Sequence, residues 1–267
     1  LADLGQQIEL PFDMHIQGIH GTNWQYQAIN TKGESEFEVK VSSADLLADA
    51  TGDNVQLQTL SVTSSLGEVQ AKGQIQLQAD FPLQLNINAD LNALKQKETV
   101  LLPATKANLT LSGTLKKQTA LLLQTQGAID AELKAEAQLT APKTPLNVKL
   151  AVARGQYPFD GNDPLSIKDV NLTINGDILT SQIQLNGAVS GMGIPANSLD
   201  LQAVGHLSNI EINPLKLNAL EGSAELKGDV NWRDGVEWNS HLQLAKMNLG
   251  RYLSAFPAVL SGELSSQ

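Results

Sequence analysis

The chain has 267 residues, 28 acidic against 18 basic, no cysteine, and only three Trp, three Tyr and five Phe. The absence of Cys removes disulfide scaffolds, zinc–thiolate sites and cysteine nucleophiles, and a formal net charge of −10 leaves no basic surface for nucleic acid. Acid excess also disfavours docking onto anionic lipid, and no apolar run approaches the roughly 18 positions of a membrane-spanning helix.

Taken in chain order, the apolar residues recur almost everywhere at period two, the pattern of strands with one dry and one wet face. Phe37, Val39 and Val41 open the series. Residues 43–50 read as a short helix, and Thr51-Gly52-Asp53-Asn54 as a turn. Leu83, Leu85, Ile87, Ala89, Leu91 and Ala93 then alternate with Gln84, Asn86, Asn88, Asp90 and Asn92. Ile129, Ala131, Leu133, Ala135, Ala137 and Leu139 do the same, followed by Leu146, Val148 and Leu150. After a turn over residues 158–164 come Val170, Leu172 and Ile174, and after Gly191-Met192-Gly193 come Leu199, Leu201 and Ala203. Ala224, Leu226, Val230 and Trp232 precede Asp234-Gly235, a strong hairpin signal. Residues 248–256 read as a second short helix. The spacing predicts about fifteen strands with mostly short connections, hence an antiparallel meander rather than βαβ units. No linker or charge block divides residues 1–267, which read as one continuous β segment, an excised or processed piece of a longer chain.

Glycines fall in phase with the apolar residues at Gly73, Gly113, Gly176, Gly187, Gly205, Gly228 and Gly262, where a bulge, a bend or a close approach is expected. A longer echo aligns Gly67, Gly73, Ile75, Leu77 and Leu83 with Gly222, Gly228, Val230, Trp232 and Trp238.

The residues of catalysis are scattered. His15, His20, His206 and His241 have no metal-ligand spacing among them. The segment 187–193 matches neither a nucleophile elbow nor a dinucleotide fingerprint and reads as a turn. Asp160, Asn162 and Asp163 lack the twelfth-position Glu of a calcium loop, and the carboxylates Glu34, Glu36 and Glu38 read as solvated strand surface. No enzymatic activity, metal or cofactor is expected.

Leucine is the abundant apolar residue: 42 Leu equal the sum of 23 Gln and 19 Asn. A closed sandwich would fill its core with aromatic residues, and an outer-membrane barrel would need two aromatic girdles. Few aromatics beside many leucines fit a third solution: a long antiparallel sheet curled into an open groove, its apolar concave face left unfilled.

The blocks Leu66-Gly67-Glu68-Val69-Gln70-Ala71-Lys72-Gly73 and residues 220–232, together with Ala153-Arg154-Gly155-Gln156-Tyr157-Pro158-Phe159, resemble the β-repeats of the TamB family of Gram-negative bacteria. These are AsmA-like proteins grouped with the bridge-like lipid transfer proteins. The resemblance implies an all-β taco spanning the periplasm from an inner-membrane anchor, transport of phospholipid to the outer membrane, and an outer-membrane partner, TamA. The anchor helix and the domain that meets TamA lie outside residues 1–267, so no residue here is assigned to either. Leu83, Leu85, Ile87, Ile129, Leu133, Leu172, Ile174, Leu226 and Val230 are the expected groove lining for phospholipid acyl chains. Two alternatives stay open: a scaffold that assists outer-membrane β-barrel assembly with TamA, and a structural β-solenoid with a closed core.

Overall fold

The computed structural model describes residue 8 and residues 10–29, 35–96, 99–233, 235–252, 255 and 257–267. Among them are eighteen strands, no α-helix and one 3-10 turn, Leu249–Arg251. Two units divide the chain: Leu1–Ala128 with Glu136–Ala141, and Ile129–Ala135 with Pro142–Gln267.

In the first unit, β1 (Met14–Ile29), β2 (Ser35–Thr51), β3 (Asn54–Ser64), β4 (Gly67–Gln76) and β5 (Pro82–Leu91) follow one another in the sheet. The connection from β5 holds a separate hairpin of β6 (Leu94–Gln96) and β7 (Thr99–Leu102). It is too short to show a period in the sequence. β8 (Thr105–Thr114) then pairs with β5, and β9 (Thr119–Gln126) with β8. Every pairing is antiparallel.

β10 (Ile129–Ala137) gives its residues 129–135 to the second unit. There β11 (Leu146–Tyr157), β12 (Leu165–Gly176), β13 (Thr180–Gly191), β14 (Ile194–His206), β15 (Asn209–Ala219), β16 (Gly222–Asn231), β17 (Glu237–Asn248) and β18 (Val259–Ser266) again follow in sequence order. All their pairings are antiparallel. The fold class is therefore the expected one, all-β, antiparallel and open.

A local device recurs in both units. A bulge adds a residue to one strand, and a glycine stands beside it on the next strand. Gly73 pairs with Leu57 where the register slips between Leu57 and Leu60. Gly228 pairs with Ile212 where it slips between Ile212 and Leu215, and Gly262 with Leu244 where it slips between Leu244 and Met247. Such bulges bend a strand and tighten its twist, and the missing Cβ lets the neighbouring backbone close in. A Cβ on Gly73 would lie 2.6 Å from the Gln84 carbonyl oxygen, and one on Gly228 2.1 Å from that of Asn239.

Both helix expectations are corrected. Residues 43–50 lie within β2, where Ala44, Leu46, Ala48 and Ala50 face Val62, Leu60, Leu57 and Val55. Neighbours on both sides supply the ladder hydrogen bonds, and the period-two apolar set outweighs local helix propensity. Of residues 248–256 only Leu249–Arg251 make a helical turn, and positions 253, 254 and 256 lie outside the described residues. The Asp234-Gly235 step does join two paired strands, whose last partners are Asn231 and Glu237; Asp234 itself is not among the described residues. Residues 187–191 complete β13, and the turn is Met192-Gly193, with both φ positive (51° and 76°), the geometry that suits a two-residue hairpin.

Candidate functional site

The alternation of each strand becomes a surface only when the register is known. In the first unit Leu83, Leu85 and Ile87 project from the same face of β5. Across the sheet Leu85 stands between Gly73 and Leu111, and Leu111 opposite Leu121. Ile87 stands between Ala71 and Leu109, and Leu109 opposite Leu123. Leu83 lies between Ile75 and Gly113.

The second unit is more uniform. Leu150, Leu172, Leu185, Leu201, Leu215, Leu226, Leu242 and Leu264 form one unbroken rung, each opposite the next, over eight successive strands. Two of the expected lining residues, Leu172 and Leu226, belong to it. Ile174 lies on the adjacent rung with Val148, Ile183, Ala203 and Ile212. Val230 lies one rung further, between Ile210 and Trp238. On β10, Leu133 is half-buried, whereas Ile129 is 46% exposed, its side chain 3.5 Å from where a Gly155 Cβ would sit.

These rungs carry no fully buried large side chain. Among the described residues the buried hydrophobic ones are Ala50, Ala71, Phe81, Ala203 and Ala219. Phe81 is the single large one, 1% exposed beside the Lys116 ammonium, 4.9 Å from its ring centre. It sits in the turn before β5, a position that no periodicity marks. The leucines are half-buried at best, and Leu264 on β18 is 65% exposed. Each apolar face is therefore broad, continuous across its strands, and covered chiefly by its own neighbours.

The opposite faces are saturated with side-chain hydrogen bonds and exposed ion pairs. Asn171 donates to Asn186 (3.2 Å), Thr110 to Asn86 (3.2 Å), and Gln243 to Glu263 (3.1 Å). Lys106 pairs with Asp90 (3.0 Å), and the histidines His15 and His20 sit against Asp49 (2.7 Å) and Asp45 (2.5 Å). Exposed pairs of this kind contribute little net stability; they keep the face wet. Two depressions there, of about 290 and 280 Å³, are lined by residues such as Gln74, Gln84 and Asn86, and Gln70, Asn88 and Asn108. Neither is lined by an expected groove residue.

Three carboxylates are held below the usual range. Backbone N–H groups of Thr180 and Leu179 hold Asp177 down; hydrogen bonds from Arg251 and Asn248 do so for Glu221, and one from Lys227 for Glu225. All favour the charged form, the opposite of the raised pKa a general acid needs. No group of three or more His, Asp or Glu that could hold a metal occurs among the described residues. Each unit thus sets one face of aligned aliphatic side chains against one polar, hydrogen-bonded face.

A protein-family model described as TamB, N-terminal domain, matches residues 1–267. The chain is 45% identical over 263 residues to the translocation and assembly module subunit TamB of Haemophilus influenzae, an alignment covering 98% of this chain and 20% of that protein. It thus spans about a fifth of the length of that relative. No solved structure matches.

Proposed function

This chain belongs to the TamB family through its N-terminal domain, and from that premise we propose that it conducts phospholipid acyl chains along its apolar faces. It acts as one continuous periplasmic segment of a longer, inner-membrane-anchored protein. The apolar face of each unit is the one that meets the acyl chains, and transport toward the outer membrane sustains that membrane's integrity. The observation that carries the reading is the rung from Leu150 to Leu264, eight leucines in register and none of them fully buried.

The energetics favour such a surface. Each methylene moved from water to an apolar setting gains about 0.8 kcal/mol, so a diacyl lipid with about thirty methylenes does not cross an aqueous gap unaided. A strip of leucines matches the bilayer interior at each step. Successive positions of the rung are all leucine, so sliding along it from one strand to the next costs little. Leu83, Leu85 and Ile87 contribute side-chain methyls to the apolar face of the first unit, and Ile129, Leu133, Leu172, Ile174, Leu226 and Val230 to that of the second.

The test is photo-crosslinking in cells with the full-length protein, the reactive residue placed at Leu85, at Leu133, or at Gln84 on the wet face. Phospholipid adducts at Leu85 and Leu133 but not at Gln84 are the expected result. Adducts with nascent barrel proteins instead would transfer the function to assembly alongside TamA. A lack of adducts at all three positions would leave a closed structural solenoid.

A further inference from the structure

The two flanks of the leucine rung in the second unit differ in chemistry. On one flank the adjacent rung carries Leu199, Leu217 and Leu244. Asn197 lies one rung further out, and its side chain donates to the Pro195 carbonyl (3.0 Å). On the other flank the adjacent rung is aliphatic from Val148 to Ile212 and then continues as Gly228, Ser240 and Ser266. Ser240 stands two residues from Leu242, and Ser266 two from Leu264, so both hydroxyls belong to the apolar face.

A hydroxyl that leaves water for an apolar setting needs a hydrogen-bond partner there. Trp238, the next residue of β17 on this face, donates its indole N–H to the Ser266 Oγ (3.2 Å). That bond occupies a lone pair of Ser266 and leaves its proton to be donated elsewhere. Ser240 makes no side-chain hydrogen bond among the described residues, and its partner on β16, Gly228, has no side chain to cover it. Two hydroxyl donors thus stand side by side, one rung from Leu226, Leu242 and Leu264. Beyond them Trp232 and Trp238, 47% and 49% exposed, are in phase with Val230. Indole rings, apolar in body and polar at the N–H, favour the boundary between an apolar layer and water.

We propose that Ser240 and Ser266 form an ester-binding subsite at this margin of the apolar face, holding the ester carbonyls of a diacyl lipid whose chains lie on Leu226, Leu242 and Leu264. This subsite rests on the lipid-conducting reading above and adds to it which flank the lipid head occupies. An ester carbonyl accepts hydrogen bonds and donates none, the complement of a hydroxyl donor. Methylenes offer such a donor nothing, so the ester is the part of the lipid that these positions retain. The headgroup then leaves the sheet past Trp238 and Trp232, whereas the opposite flank gives it aliphatic neighbours.

Two photo-reactive phosphatidylglycerols test the subsite in the full-length protein, one with a diazirine beside the ester and one with it at the chain terminus. The ester-side probe should label residues 238–240 and 266, and the chain-end probe the leucines of the rung, as mapped by mass spectrometry. Replacing both Ser240 and Ser266 by Ala should lower the ester-side labelling by at least about fivefold and leave chain-end labelling unchanged. Ser240→Thr with Ser266→Thr keeps both hydroxyls and should restore it. Undiminished ester-side labelling in the alanine variant would overturn the subsite alone, as would an equal loss of both labels or ester-side labelling centred on Leu199, Leu217 and Leu244. An absence of labelling by both probes in the parent protein would overturn the conduction reading and the subsite with it.

Discussion

Leu172 and Leu226 lie on one rung of the second unit, joined through Leu185, Leu201 and Leu215. Fifty-four positions apart in sequence, they become parts of a single apolar track because every hairpin between them returns the chain in register. Bulges in β12, β14 and β15 would each throw the alternation to the other face if they were uncompensated. The sequence slips by one residue at the same places, for example from Ile212 to Leu215 across Asn213-Pro214, and the leucines stay aligned.

Replacing Leu172 by Asp tests whether the rung acts as a track. The side chain is half-buried on an open face, so its carboxylate reaches water, and the loss of folding stability should be about 1–3 kcal/mol, short of the upper range for closed cores. An acyl chain passing beside that charge meets a desolvation penalty, which reduces occupancy by at least about tenfold. In full-length protein with a photo-reactive residue at Leu226, phospholipid adducts should fall by that factor while circular dichroism stays unchanged. Undiminished adducts in a folded variant would show that the rung is not the route.

The bulge-facing glycines are not equivalent, and their surroundings predict the order of damage. A Cβ at Gly228 meets the Asn239 carbonyl oxygen at 2.1 Å and the Ser240 Cα at 3.0 Å, both backbone, whereas one at Gly262 meets nothing within 4 Å. Gly228→Ala must push β16 and β17 apart and should cost about 1–3 kcal/mol. Gly262→Ala should stay within about 0.5 kcal/mol of the parent. Urea unfolding of the two variants measures the difference, and equal midpoints would remove the close-approach explanation for Gly228.

Much of this architecture was legible because period two is a local property. The strand holding Leu83, Leu85 and Ile87 could be read from nine consecutive residues, and the echo between residues 67–83 and 222–238 was structural: Ile75 pairs with Leu83 as Val230 pairs with Trp238. What could not be read is register, since it depends on where each bulge falls. Leu150, Leu172, Leu201 and Leu226 therefore read as separate alternations rather than one rung. Phe81 carries no sequence signal for a different reason. It lies in a turn with φ 55°, where neither the helical nor the strand period applies, and its burial comes from non-local neighbours such as Lys116. The helical reading of residues 43–50 failed because Leu46 and Leu47 are adjacent, which masks an alternation that only pairing with β1 and β3 resolves.

Acid should loosen one turn selectively. The Asp177 carboxylate accepts the backbone N–H groups of Leu179 (2.8 Å) and Thr180 (2.9 Å), closing the turn between β12 and β13. These bonds, Thr180 first, with Lys143 adding a favourable charge, hold its pKa below the usual carboxylate value. A depressed folded pKa means that the unfolded turn takes up its proton first as pH falls. The stabilisation is thus fully present above the ordinary Asp value of about 3.9 and is lost as pH drops through the lower folded value. Protection factors for the Leu179 and Thr180 amides, corrected for intrinsic exchange, should therefore fall below about pH 4 while those of the leucine rung hold. Asp177→Asn keeps an oxygen acceptor for both amides but removes the titration, so its protection should be flat over the same range. The same acid dependence in Asp177→Asn would assign the loosening to another group.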